Sequence, residues 1–303
     1  MPIYDLGYRG WQGRLVPEAG RFWAIAETGI RLAWQTKFLR RLLLFAWAPT
    51  AFFVSLLFAY EQYLTLPDSR AAREFLSEML SQDALSFDRH HVWSLLLSNF
   101  FRYPQAILMA LVVGIIAPPL IAHDVRTRAF MLYFSRPLTR IEYILGKMAV
   151  LWGYLLAITT LPALLLYLLG VFLSPQLVVV AQTWDLPLRI LAASAVFIIP
   201  TTALALAISS LTSESRYATF AWFAIWAAGW VTYAMLNANI PGSRTAERGT
   251  LASLYHTLGR VQHWVFGLEQ SFANVSPAAI ELAAITVISL AILFRRVSSP
   301  MRI

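Results

Sequence analysis

The stretch MAVLWGYLLAITTLPALLLYLLGV, residues 148–171, is 24 residues long and carries no charge. As a helix it extends about 36 Å, enough to cross the roughly 30 Å hydrocarbon core of a bilayer. Pro162 would break a soluble helix, but a membrane helix tolerates it when neighbouring groups satisfy the freed carbonyl. Five more uncharged runs obey the same rule: approximately Leu42 to Tyr60, Pro104 to Ala122, Leu188 to Leu211, Tyr217 to Leu236, and Ala278 to Phe294. Pro49, Pro118, Pro119 and Pro200 inside them predict kinks, not gaps. The expected fold is therefore all-α, a polytopic membrane protein with six transmembrane helices.

Composition agrees. Of the 303 residues 58% are hydrophobic and only 13% charged, with a mean hydropathy of +0.61, whereas a soluble domain carries roughly 25% charged residues. Eleven Trp, 12 Tyr and 19 Phe exclude a disordered chain. The absence of cysteine excludes disulfides, thiolate metal sites and a cysteine nucleophile. The net charge of +8 is read as membrane topology, with no nucleic-acid partner expected.

Arg9, Arg14, Arg21, Arg31, Lys37, Arg40 and Arg41 precede the first span, and Arg126, Arg128, Arg136, Arg140 and Lys147 lie between or beside spans two and three. Arg295, Arg296 and Arg302 follow the last span. The positive-inside rule places all three groups, and both termini, in the cytoplasm. The first long loop, with six acidic residues, faces outward; Arg244, Arg248 and Arg260 weakly oppose this orientation, but long loops constrain it less. No secretory signal peptide is visible in the first 41 residues. Residues 1–41 form a cytoplasmic N-terminus and 42–303 a single six-span domain.

Between Arg21 and Arg41, the residues Phe22, Ala26, Ile30, Ala33, Trp34 and Phe38 recur at helical spacing opposite Glu27, Arg31 and Gln35. This pattern suits an amphipathic interfacial helix whose basic side chains meet membrane lipid phosphates. A cytoplasmic extension of the first span is the alternative.

The connection HDVRTRAFMLYFSRPLTRIEYILGK, residues 123–147, reads as two short helical pieces hinged at Pro137. Charge at Asp124, Arg126 and Arg128 precedes an apolar patch from Ala129 to Phe134 that is too short to span and must be buried against something. Thr139 and Glu142 have the spacing of a capping box that opens the third span. A simple basic anchor joining two helices fits the composition equally well.

The series Asp124, Ser135-Arg136-Pro137-Leu138-Thr139-Arg140, Glu142-Tyr143 and Gly146-Lys147 resembles the coupling loop of ATP-binding cassette permeases of the type-2 exporter class. Within that class the chain is similar to permeases of multicopper-enzyme maturation systems and of bacterial antibiotic or sodium export. The resemblance implies a cytoplasmic coupling helix between spans two and three that docks on a separate ATPase subunit. Arg126, Arg128, Arg136 and Arg140 would pair with acidic residues there, Met131, Tyr133 and Phe134 would supply the buried centre, and Gly146 would allow close packing. It further implies a homodimer or pseudo-dimer in a bacterial inner membrane, with ATP and magnesium bound by the partner and no cofactor in this chain.

A phosphate-binding loop requires Gly, four residues, then Gly-Lys-Ser/Thr, but Ile141 and Met148 occupy two of those positions around Gly146-Lys147. The chain is thus expected not to be an enzyme. His256 and His263, with Glu269 downstream, make a metal site conceivable, and solvated or otherwise satisfied loop histidines are the commoner arrangement. The spans are nearly free of carboxylates: Glu61 is placed at the outer edge of span one and Glu281 near the start of span six. This leaves ion-driven secondary transport as the alternative to ATP-driven export, with a non-transporting membrane scaffold third.

Span five combines Ala221, Ala224, Ala227, Ala228 and Gly229 with Trp222, Phe223, Trp226 and Trp230. Its small face suits a homodimer contact and its aromatic face an apolar pathway, as the resemblance implies for the first and fifth spans, though lipid-facing tryptophan fits each ring as well. Residues Leu251 to Phe272 predict a short re-entrant or interfacial helix pair broken near Gly259 or Gly267, and Arg73 to Asp83 a helix over the outer face.

Overall fold

The structure, a computed structural model, describes residues 21–65, 74, 76, 88–129, 138–174, 176, 178–239 and 250–298. Among them there is no strand. Six helical stretches are long and apolar enough to cross a membrane: Lys37–Leu64, Arg89–Arg126, Arg140–Leu173, Val178–Leu211, Ser215–Ala238 and Phe272–Ser298. They alternate in direction, so the 127–139 connection, the end of span four and the end of span six share one end of the bundle, the connector end.

Several spans are composite. Span one joins α2 (Lys37–Phe45) to α3 (Ala48–Thr65), and span two joins α4 (Arg89–Phe100) to α5 (Ala106–Arg126) through a π-helical turn at Phe101–Gln105. Span three joins α6 (Arg140–Leu155) to α7 (Leu161–Leu173) through a second π-helical turn at Leu156–Thr160, and span four is α8 (Val178–Thr183) followed by α9 (Leu186–Leu211). Spans five and six are α10 (Ser215–Asn239) and α12 (Phe272–Ser298), with α11 (Leu254–Val265) between them. Pro104 lies inside the first π turn and Pro162 just beyond the second, where the missing amide disturbs the ordinary ladder.

Pro118 and Pro119 are stabilised differently. Ser209 Oγ on α9 donates to the Pro118 carbonyl at 2.7 Å and accepts from the Ile121 and Ala122 amides at 3.3 and 3.1 Å. Thr219 Oγ1 donates to the Gly114 carbonyl, which Pro118 leaves without its helical donor. The kinks are thus packed against spans four and five.

The expected single helix over 21–41 is two helices. α1 (Arg21–Trp34) ends at Gln35-Thr36, and Lys37 already begins the first span. Ala26 is fully buried and Ile30 packs inward as the periodicity requires, but Trp34 and Phe38 are exposed. α1 lies along α6, where glycine makes the approach possible: a Cβ on Gly146 would sit 2.8 Å from Ile25 Cβ and 3.0 Å from the Phe22 carbonyl, and one on Gly29 would sit 2.5 Å from Val150. Tyr154 Oη donates to the Ile30 carbonyl at 2.7 Å.

The predicted outer helix pair is one helix among the described residues. α11 runs unbroken through Gly259 and ends at Gly267, whose φ of +77° closes it with bonds from the Gly267 and Leu268 amides to Trp264 and His263 carbonyls. The segment from Arg73 to Asp83 lies almost entirely outside the described residues, apart from Glu74 and Leu76. Two apolar cores result, one joining α2, α5, α6, α9 and α12, the other packing α3, α4 and α7 around Trp93 at the opposite end.

Candidate functional site

Asp124 lies one turn before the end of α5 and Lys147 two turns into α6, and both point between the helices. Tyr143 Oη donates to Asp124 Oδ2 at 2.7 Å, and Lys147 Nζ lies 2.7 Å from the same oxygen. Asp124 is 6% exposed, and the lysine also stands over the Tyr143 ring. At this burial a charge is tolerated because it is paired and hydrogen-bonded. These two residues therefore clamp α5 to α6 directly behind the connection.

Both edges of the connection are capped. α6 opens with the capping box expected from sequence: the Glu142 amide donates to Thr139 Oγ1 at 3.2 Å, and Thr139 N–H donates to Glu142 Oε2 at 2.7 Å. α5 closes with bonds from the Arg128 amide to the Val125 carbonyl and from the Ala129 amide to the Asp124 carbonyl. This is the arrangement that normally places glycine in the left-handed position, yet the residue there is Arg128, with φ +54°. A non-glycine side chain in that conformation costs about 1 kcal/mol. Its guanidinium is thereby held at the exposed edge of the connection.

Arg126 is exposed and 3.7 Å from Glu214 in the α9–α10 turn, and Arg140 opens α6. Met131, Tyr133, Phe134, Arg136 and Pro137 lie outside the described residues. Gly146 is packed under α1, and a cavity of about 650 Å³ lies between α1, α5 and α6, walled by Ile115, Ile116, Pro119 and Val150 and reaching Asp124 and Lys147.

In span five the aromatic residues differ in burial. Trp222 is buried and donates through Nε1 to the Ala110 carbonyl at 2.8 Å, while its ring and that of Phe223 fill the space at Gly114. It joins spans two and five within one chain. Trp226, half-buried, packs its ring at a tilt of 56° against that of Trp222. Ala224 is half-buried and Ala228 exposed, whereas Gly229 packs against Ser253.

Sequence reasoning missed a polar cluster at the far end. Glu61 is fully buried, accepts from Trp93 Nε1 at 3.0 Å and Ser174 Oγ at 2.7 Å, and lies 3.4 Å from Arg89 Nε. Nearby, Asp185 bridges His90 at 3.0 Å and Arg189 at 2.5 Å. The signal was the i, i+4 spacing of Arg89 and Trp93, which puts both on the α4 face that meets α3. His256 bonds Ser253 Oγ and stacks on Tyr233, and the described residues hold no cluster of three ligating side chains.

No curated protein sequence matches the chain. A family model described as ABC-2 family transporter protein matches residues 37–295, from the first residue of span one to the last turns of span six. With six spans, capped edges on the connection between the second and third, and a match over most of its length, the chain belongs to the ABC-2 transporter family and is a permease of that type.

Proposed function

We propose that the chain is the membrane-spanning subunit of an exporter in a bacterial inner membrane, coupled to ATP hydrolysis by a separate ATPase through the residue 127–139 connection. The observation that carries this reading is the Asp124–Tyr143–Lys147 clamp. A loop that merely joins two helices needs no buried ion pair at its root, whereas one that transmits force needs both flanking helices to move together. ATP and magnesium are assigned to the partner, and no catalysis to this chain. Both termini are assigned to the cytoplasm, where exposed Arg31 of α1 and exposed Lys37, Arg40 and Arg41 of α2 meet anionic lipid.

Co-purification with the ATPase, followed by turnover measurement, tests this reading. Arg126→Glu with Arg140→Glu should abolish permease-stimulated hydrolysis while preserving the fold, because the exposed Arg126–Glu214 pair contributes little stability. Undiminished binding and stimulation in that variant would overturn the coupling assignment.

Glu61 favours a second reading. A carboxylate with no exposure, set between spans one, two and three, is the kind of group an ion-driven transporter uses. Vesicles containing the chain alone would then accumulate substrate under an ion gradient, and Glu61→Gln would stop them.

A further inference from the structure

At the end of the bundle opposite the connector, a cavity of about 330 Å³ lies between the π turn of span two, α10 and α11. Arg102 comes from the π turn, about 33 Å along span two from Asp124. Its guanidinium stands over the Tyr255 ring at 4.9 Å, and it occupies the space that a side chain at position 259 would take, so Gly259 admits it. Among the described residues no carboxylate pairs with it. Arg260, one residue beyond Gly259, donates only to Thr250 Oγ1, at 3.1 Å. Among the described residues, two guanidinium groups therefore face one space with no carboxylate in contact with either.

Among the described residues the rest of the wall supplies only one negative charge. It comes from Glu269, which also accepts from the Ser271 amide and from Asn274 Nδ2. His256 and His263 are held below the usual histidine range by burial first and by the charge of Arg102 second, so both are neutral at pH 7. Neutral imidazoles offer one N–H donor each without adding charge. Among the described residues the balance is two positive charges against one negative, in a pocket large enough for a small polar head.

We propose that this cavity is an anion site for a phosphate-type group, with Arg102 and Arg260 as the charged forks and His256 and His263 as neutral donors. Guanidinium presents paired donors that match phosphate oxygens, and a singly charged phosphodiester or dihydrogen phosphate balances the excess charge. An intramembrane arginine without a protein partner is costly unless a ligand supplies the partner. The group arrives either as a phospholipid head or as a soluble phosphate. This site is independent of the ATPase assignment.

The test uses the full chain in detergent or phosphatidylcholine nanodiscs. One arm counts phosphatidylglycerol bound by native mass spectrometry, and the other titrates inorganic phosphate calorimetrically. Retention of phosphatidylglycerol alone identifies a lipid head; binding of phosphate, with or without the lipid, identifies the phosphate group itself as the recognised element. In either case Arg102→Gln should weaken binding at least tenfold, Arg260→Gln several-fold, and Arg102→Lys less than Arg102→Gln. Arg216→Gln, at the connector end of the bundle, should change nothing. Because Arg102 packs on α11, Arg260→Gln with an unaltered melting profile decides the matter if Arg102→Gln fails to fold. Binding of neither probe, or undiminished binding by folded Arg260→Gln, would overturn the proposal.

Discussion

At Arg128 the backbone takes a left-handed turn that glycine would adopt without strain. Arg128→Gly should raise the unfolding midpoint, in line with a gain of about 0.5–1 kcal/mol. If the guanidinium is held there for docking, the same variant loses ATPase stimulation, and a gain in stability together with unchanged stimulation would remove Arg128 from the coupling site. Asp124→Asn should cost about 3 kcal/mol, because it strands Lys147 with an uncompensated buried charge. Adding Lys147→Met should recover part of that loss in a denaturation series. His256 gives a pH signature. Its folded pKa is lowered to about 4 by burial and then by Arg102, so the unfolded chain takes up its proton first as the medium acidifies. Stability from this residue is intact above about pH 6.5 and is lost on the way down to about 4. Arg102, Arg260, His263 and Glu269 share that cavity, so the measurement is made against His256→Gln, in which the acid-side decline should shrink.

Between α1 and α6 the contact is made by what is missing from the side chains. The periodicity of Phe22, Ala26 and Ile30 revealed an apolar face but not its partner, because Gly146 and Gly153 leave no hydrophobic mark on span three. Legibility at this scale followed the same logic elsewhere. The capping box at Thr139 was readable because its chemistry is local, whereas the start of span two was not. Arg89, His90 and Arg102 interrupt the apolar run, and the groups that accommodate them, Glu61, Asp185 and Tyr255, come from other elements. Gly29→Cys with Val150→Cys tests the helix pairing in a chain with no cysteine of its own. A Cβ on Gly29 lies 3.6 Å from Val150 Cβ, within bridging range, so oxidation should join the two helices quickly. Gly146→Leu should slow that reaction at least several-fold by forcing α1 away.

Across the whole molecule burial is uneven. In the most apolar stretch of each span, 67% of the residues of spans two and four are buried, against 11% for span five and 22% for span six. Hydropathy made all six legible as spans because each must face lipid or its neighbours in a solvent without water, but it gives a central and a peripheral helix the same score. A thinly buried span five is consistent with a second chain packing there. Ala224→Leu with Ala228→Leu should then shift purified protein from dimer to monomer by light scattering, and an unchanged mass would remove that surface from consideration. Ser209 bears on how such an assembly moves. One hydroxyl carries the helical ladder across the Pro118–Pro119 break by borrowing an atom from span four. If the connection is driven by a partner ATPase as proposed, a push at its root is handed sideways to a neighbour before it can climb its own helix. Ser209→Ala would leave every span standing and disengage this clutch, so that ATP could still be spent while the distant half of the protein stays at rest.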